Sequence, residues 1–100
     1  MATPEGDILK AVGHYLTLKK HFWWRNNSGA FKSDHGFYRF GTPGLPDIVV
    51  IRDGFFMGLE CKTKAGRQSP DQKEFERRTK EAGAEYYVVR SVDDVVEVGL

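Results

Sequence analysis

Residues 44–62 read GLPDIVVIRDGFFMGLECK, and this stretch decides the fold predicted for the chain. It holds two apolar runs on either side of Asp53-Gly54, and Asp-Gly between apolar runs is typical of a tight β-hairpin turn. The first strand is therefore expected to begin at Asp47 and the second to end near Lys62. In an antiparallel hairpin these two positions lie at the same end of the sheet.

The end of the second strand carries its chemistry on one face. Because successive side chains of a strand point to opposite faces, Glu60 and Lys62 share one side and Leu59 and Cys61 share the other. The hairpin brings Glu60 close to Asp47, and two neighbouring carboxylates repel each other unless a cation lies between them. Carboxylate oxygens are ligands that suit Mg²⁺ or Mn²⁺.

The lysine completes a reactive arrangement. Lys62 could orient a water molecule, or stabilise negative charge that develops on a phosphate. The plainer interpretation is a surface hairpin with an ordinary Glu/Lys pair. Pro46-Asp47 at the start of one strand and Glu60-Cys61-Lys62 at the end of its partner favour the catalytic interpretation.

Further motifs follow in a fixed order along the chain. They are Arg39-Phe40-Gly41-Thr42-Pro43-Gly44-Leu45-Pro46-Asp47, Glu60-Cys61-Lys62, Ser69-Pro70-Asp71-Gln72, Ala82-Gly83 and Val88-Val89-Arg90. Pro46-Asp47 with Glu60-Cys61-Lys62 resembles the PD-(D/E)xK nuclease signature. The whole series resembles the VRR-Nuc family in order and spacing, over nearly the whole chain. Ser91 departs from it, since the family's name implies a second arginine there.

This resemblance implies a fold, an activity and an assembly. The fold is α/β, a restriction-endonuclease-like αβββαβ core with a mixed central sheet flanked by helices. The activity is divalent-metal-dependent hydrolysis of DNA phosphodiester bonds. Stand-alone members of this size, of phage or bacterial type, act as homodimers on branched DNA such as four-way (Holliday) junctions.

The predicted metal ligands are Asp47 and Glu60, with the backbone carbonyl of Cys61 and with Glu5 acting through a water. Glu5 lies at the start of a helix that Thr3-Pro4 is expected to cap. Acids favour helix N-termini in any case, but Glu5 also falls on the stripe of buried apolar residues, where an unpaired carboxylate is costly. The family resemblance also places an acid here. Asp7 is the alternative, although it lies off that stripe.

Gln72 is the fourth predicted catalytic residue, beside Asp47, Glu60 and Lys62. Ser69-Pro70-Asp71-Gln72 opens a second helix as a capping box, which gives Gln72 a purely structural role. Gln72 also lies three residues before Phe75, on the inward face, and the family's Ser-Pro-x-Gln motif implies that it orients a water or a phosphate.

The remaining sequence completes the predicted order of elements. The first helix is expected to end near Lys19-Lys20 and to precede a strand over residues 22–25, which a turn over residues 26–29 follows. An aromatic arm or ribbon over residues 31–40 then leads to the hairpin, and Phe37-Tyr38-Arg39-Phe40 is expected to be extended. The second helix ends at Gly83, and a strand over residues 85–90 precedes a short final helix.

Composition limits the class of protein. One hundred residues, 40% of them apolar, allow one domain over residues 1–100 with a modest core. No apolar run approaches membrane-spanning length, and no signal peptide is apparent. A lone Cys61 predicts a reducing compartment, hence the cytoplasm of a bacterium or of a phage-infected host cell. No nucleotide-binding loop is present, and neither a nucleotide cofactor nor a membrane is expected.

Charge is distributed unevenly along the chain. Residues 10–40 carry six basic side chains against Asp34 alone, a net charge of +5, whereas residues 81–100 carry a net −4. This asymmetry favours one face for a polyanion. The basic side chains predicted to contact DNA phosphates are Arg25, Lys32, Arg39, Lys64 and Arg67.

Three interpretations of function remain open. A metal-dependent junction nuclease is favoured because Asp47, Glu60 and Lys62 are all present. A restriction-type or flap endonuclease is the rival within the enzyme class, although 100 residues leave little room for a separate recognition domain. The third possibility is a DNA-binding module that has kept the fold and lost the chemistry. The density of aromatic residues between Phe22 and Phe40 predicts a core or dimer surface.

Overall fold

A computed structural model describes residues 3–26, 29–33, 36–40 and 42–100, and it describes residues 29–33 and 36–40 by their backbone alone. The elements in chain order are α1 (Pro4–Leu18), β1 (Phe22–Arg25), β2 (Gly29–Ser33), β3 (Gly36–Phe40), β4 (Ile48–Arg52), β5 (Phe55–Cys61), α2 (Pro70–Glu81), β6 (Glu85–Val89) and α3 (Val92–Glu97).

The central sheet has four strands in the order β1-β4-β5-β6. β1 and β5 run antiparallel to β4, whereas β6 runs parallel to β5, so the sheet is mixed. One face packs against α1 and α3, where Val12, Leu16 and Val95 join the buried side chains of the sheet. On the other face, Phe75 of α2 approaches Tyr86 of β6. The predicted fold class is therefore confirmed.

The β4–β5 hairpin forms as predicted. Asp53 and Gly54 have positive φ angles of 54° and 83°, the combination that a tight two-residue hairpin turn requires. β4 begins one residue after the predicted Asp47, and β5 ends one residue before the predicted Lys62. Every residue from Met57 to Cys61 is buried, so both faces of β5 are covered at this end.

Both long helices begin at the predicted caps. The side chain of Thr3 accepts a hydrogen bond from the backbone N–H of Gly6, and Ser69 with Gln72 forms a complete capping box. Gly13 sits in the middle of α1 for a packing reason. A Cβ atom at this position would lie 2.8 Å from the Trp23 ring, so only glycine lets β1 approach the helix.

A second sheet consists of β2 and β3, which pair antiparallel with Phe31 opposite Tyr38. The sequence predicts an arm or ribbon here, and the backbone forms a two-stranded antiparallel ribbon. This ribbon lies between β1 and β4 in the sequence, while β1 and β4 pair directly in the central sheet. The turn predicted over residues 26–29 includes Asn27 and Ser28, which lie outside the described residues, whereas Gly29 already belongs to β2.

Candidate metal centre

The hairpin places Asp47 and Glu60 side by side. Ile48 pairs with Leu59, so Asp47 stands opposite Glu60 at the end of the sheet. Oδ2 of Asp47 accepts a hydrogen bond from the backbone N–H of Cys61 at 2.8 Å. One carboxylate oxygen of Asp47 is thereby fixed against the neighbouring strand.

Asn26 holds the Pro46-Asp47 segment from the opposite side. Its backbone N–H donates to the carbonyl of Asp47 at 2.9 Å, and its side-chain amide donates to the carbonyl of Pro46 at 2.8 Å. The Trp24 indole N–H donates to the amide oxygen of Asn26 at 3.2 Å, which fixes the orientation of that amide. Asp47 is thus anchored on both sides, through its backbone carbonyl to Asn26 just after β1 and through its side chain to Cys61 of β5.

Gly58 allows two rings to close over the sheet beside the carboxylates. A Cβ atom on Gly58 would lie 2.8 Å from Cγ of Pro46 and 3.3 Å from Cδ2 of Tyr86. Pro46 is itself buried. The proline of the Pro46-Asp47 motif therefore packs directly over the strand that carries Glu60.

A third carboxylate reaches this end of the sheet from helix α1. Glu5, Asp47 and Glu60 each offer an oxygen, and these oxygens all lie within 4.8 Å of one another. Of the two alternatives weighed from the sequence, it is Glu5 that joins this cluster, whereas Asp7 is exposed. The first turn of α1 therefore contributes to the site.

The cluster opens onto a cleft of about 440 Å³. Its walls come from the first turns of α1 and from the ends of the central strands. The lining residues are Thr3, Pro4, Glu5, Gly6, Leu9, Arg25, Asp47 and Thr63. Arg25 is exposed and brings a positive charge to the wall, which makes the cleft suited to a phosphate next to the carboxylates.

Glu60 is the most perturbed of the three carboxyls. Its side chain is 1% exposed, and burial, followed by the negative charge of Asp47, raises the pKa of Glu60 to about 8. A buried carboxylate beside another is costly unless a cation compensates the charge. Three carboxylate oxygens around one point form a donor set that fits Mg²⁺ or Mn²⁺.

Lys62 supplies a cation at the rim of the cluster. Its Nζ lies 3.9 Å from Oε1 of Glu60, and its side chain is 13% exposed. This ammonium therefore faces the carboxylates and keeps limited access to solvent, as the alternation of residues along β5 predicts.

The basic loop after β5 is held by Arg90. Nη1 of Arg90 donates to three backbone carbonyls of this loop, those of Thr63, Gly66 at 2.8 Å and Lys64 at 3.4 Å. The arginine of the Val88-Val89-Arg90 motif thus fixes the segment that follows Lys62. Lys64 and Arg67 are exposed on this loop.

The fold of this chain is similar to that of a solved structure described as a VRR_NUC domain, with a TM-score of 0.71 over 97% of this chain and 95% of the other, at 23% sequence identity. The chain has the fold of a VRR_NUC domain. A scan against protein-family models and a search of curated proteins give no match. The VRR_NUC fold expected from the motifs is therefore confirmed at the level of structure.

The VRR_NUC fold also contains the other site residues that the sequence predicts. Oε1 of Gln72 accepts from the backbone N–H of Ser69 at 2.8 Å, so the capping role is observed, and its catalytic role stays a prediction. The Cys61 carbonyl likewise stays a predicted ligand. The side chains of Lys32 and Arg39 lie outside the described part of the chain.

Sequence reasoning missed two residues around the site, Asn26 and Tyr86, and the structural role of a third, Arg90. Each reaches its partner across a gap of 20 or more residues. The composition of residues 26–29 predicts only a turn, and no local pattern indicates that Asn26 supports the Pro46-Asp47 segment. In the described residues, no helix is long and apolar enough to cross a membrane.

Proposed function

We propose that this chain is a divalent-metal-dependent endonuclease that hydrolyses DNA phosphodiester bonds with selectivity for branched structure. The observation that carries the proposal is the cluster of Glu5, Asp47 and Glu60 beside Lys62. A bound Mg²⁺ or Mn²⁺ would polarise the phosphate and lower the pKa of an attacking water. Cytoplasmic DNA is the expected substrate, because a single cysteine, Cys61, predicts a reducing compartment.

The residues of the chain have separate roles in this proposal. Asp47, Glu60 and Glu5 would hold the cation, and the N–H of Cys61 fixes the orientation of Asp47. Lys62 orients the attacking water or neutralises charge on the scissile phosphate. Arg25, on the cleft wall, contacts a neighbouring phosphate.

The DNA backbone is the main contact expected outside the cluster. Lys64 and Arg67 project from a loop that Arg90 fixes, and both are exposed. Phosphate contacts of this kind position DNA without reading its sequence. On α2, Arg77 pairs with Glu74 and Glu81, which leaves that helix poorly suited to reading base edges. Selectivity is therefore expected to come from DNA shape.

A homodimer would place two such sites on one junction. β1 is an edge strand of the central sheet. Its Phe22 and Trp24 are 70% and 42% exposed, and their ring centroids are 5.8 Å apart. An edge strand that carries exposed aromatic rings supports self-association through one self-complementary surface. A twofold dimer then matches the symmetry of a four-way junction.

The testing experiment compares matched four-way junction, flap and linear duplex DNAs with Mg²⁺, with Mn²⁺ and with chelator. Symmetric cutting of the junction that requires the metal is the expected result. Cleavage confined to one short sequence in linear duplex would favour the restriction-type alternative, and cleavage at a flap alone would favour the flap nuclease. DNA binding without cleavage in either metal would favour the silent DNA-binding module.

Assembly is tested separately by sedimentation velocity. Phe22→Glu should shift a dimer to monomer, because it places a charge on the proposed surface. Phe55→Glu is the matched control, since Phe55 is also exposed but lies at the β4–β5 turn. A wild-type monomer that still cuts junctions symmetrically would exclude the dimer while leaving the nuclease intact.

A further inference from the structure

Tyr86 is a buried residue that the proposed chemistry does not yet use. Its side chain is 1% exposed, and its hydroxyl donates to Oε2 of Glu60 at 3.2 Å. Parallel pairing of β5 and β6 aligns Gly58 with Tyr86, two residues before Glu60 on the same face of the sheet. The hydroxyl therefore reaches along this face to the carboxylate.

The two oxygens of Glu60 have different partners. Oε2 accepts from Tyr86, whereas Oε1 lies 3.9 Å from Nζ of Lys62. The terminal torsion of a glutamate side chain is soft, so without a fixed donor its carboxylate plane would turn readily. A donor on Oε2 alone selects the orientation in which Oε1 faces Lys62.

The ring of Tyr86 is itself fixed. The Phe75 ring packs at a centroid distance of 6.2 Å, and Gly58 leaves just the space that Tyr86 and Pro46 fill. Pro46 directly precedes Asp47, so the same packing unit supports both neighbouring carboxylates. The phenol can therefore act as a rigid donor, because its position does not depend on Glu60.

We propose that Tyr86 is a positioning residue of the metal centre, which turns Glu60 so that Oε1 is presented to the cation and to Lys62. This inference rests on the proposed function, since it concerns the same carboxylate cluster. Hydrogen bonds that orient metal-binding side chains commonly change metal affinity or activity by about 10-fold to 100-fold when they are removed.

The variant Tyr86→Phe removes the hydroxyl and keeps the packed ring. The matched control is Tyr87→Phe on the same strand, because the Tyr87 hydroxyl also donates to a carboxylate, Oε1 of Glu85, at 2.6 Å. Tyr87 points to the opposite face of the sheet, away from Glu60. Both variants lose one hydroxyl–carboxylate bond, so a general effect on stability is common to the two.

The experiment measures Mn²⁺ binding to the metal-free proteins by isothermal titration calorimetry, well below the unfolding midpoint of each. Tyr86→Phe should raise the Mn²⁺ dissociation constant by about 10-fold, while Tyr87→Phe leaves it unchanged. In cleavage assays Tyr86→Phe should require more Mn²⁺ for half-maximal rate and keep the wild-type KM for DNA.

The possible failures are distinguishable. If the wild type binds Mn²⁺ and both variants bind it with wild-type affinity, Tyr86 has no positioning role and the inference is overturned. Equal weakening in both variants would also overturn it, since that indicates loss of sheet stability alone. If the wild type itself binds no Mn²⁺, the proposed function fails and takes this inference with it.

Discussion

Oδ2 of Asp47 accepts a hydrogen bond from the backbone N–H of Cys61 at 2.8 Å, and this bond ties a predicted metal ligand to the strand that carries Glu60. One side-chain oxygen of Asp47 is therefore structural, while the carboxylate as a whole supplies charge to the cluster with Glu60 and Glu5. The two roles can be separated by substitution.

Asp47→Asn should abolish Mn²⁺ binding and DNA cleavage and leave the protein folded. The amide retains an oxygen that can accept from Cys61, and removing the charge relieves repulsion against Glu60. Asp47→Ala should also be inactive. It should be less stable than Asp47→Asn by about 1–3 kcal/mol, because the Cys61 N–H loses its hydrogen-bond partner. Calorimetric Mn²⁺ titration and urea unfolding check both variants. Cleavage by Asp47→Asn at the wild-type rate would show that the site is assigned wrongly.

The stability of the metal-free protein should fall as the pH rises from about 4.5 to about 8. The pKa of Glu60 is raised from 4.5 to about 8, so in this range the folded protein binds a proton that the unfolded chain releases. The free energy of unfolding then decreases by up to ~1.4 kcal/mol per pH unit. Below about pH 4.5 the group is protonated in both states, and it contributes no slope.

Urea unfolding in the presence of chelator, at several pH values in this window, measures that slope. Glu60→Gln is the control and should lack this contribution. Saturating Mn²⁺ should restore stability at the alkaline end, since a cation compensates the charge that the proton otherwise removes. Equal slopes for the wild type and Glu60→Gln would contradict the shifted pKa.

Lys62→Met should slow cleavage by about 100-fold or more with little change in DNA affinity. Methionine keeps most of the packing volume and removes the ammonium that faces Glu60. One phosphate contact among several contributes modestly to binding. Lys64→Met is the control, since Lys64 is exposed on the following loop and should alter binding and its salt dependence instead. If Lys62→Met loses cleavage rate and DNA affinity by the same factor, Lys62 only binds DNA and has no role in the chemical step.

Arg90→Lys should loosen the basic loop. The guanidinium of Arg90 donates to three loop carbonyls, which a lysine ammonium cannot reproduce with the same planar geometry. Trypsin should then cut faster after Lys64 and Arg67, as read by mass spectrometry. Arg77→Lys is the control, because the Arg77 pairs with Glu74 and Glu81 are exposed to solvent and pairs of this kind contribute little to stability. If trypsin cuts Arg90→Lys at the wild-type rate, the loop is held by other contacts.

The amino-acid sequence by itself determined the local structure and the core of the site. Asp53-Gly54 set the hairpin, Thr3-Pro4 and Ser69-Pro70 set the starts of both helices, and the antiparallel pairing placed Asp47 opposite Glu60. These predictions succeeded because turns, caps and two-residue alternation depend on interactions between residues close in sequence.

Only the tertiary structure decided how the site is supported. The packing of β6, α1 and α2 around the hairpin buries Glu60 and brings Tyr86 and Arg90 to their partners. It also decides that Glu5, and not the alternative Asp7, joins the cluster. Parallel register between β5 and β6 is set by contacts between residues far apart along the chain, and no local pattern specifies it. The sequence therefore determined which carboxylates meet, and packing determined their burial, their orientation and the pKa of Glu60.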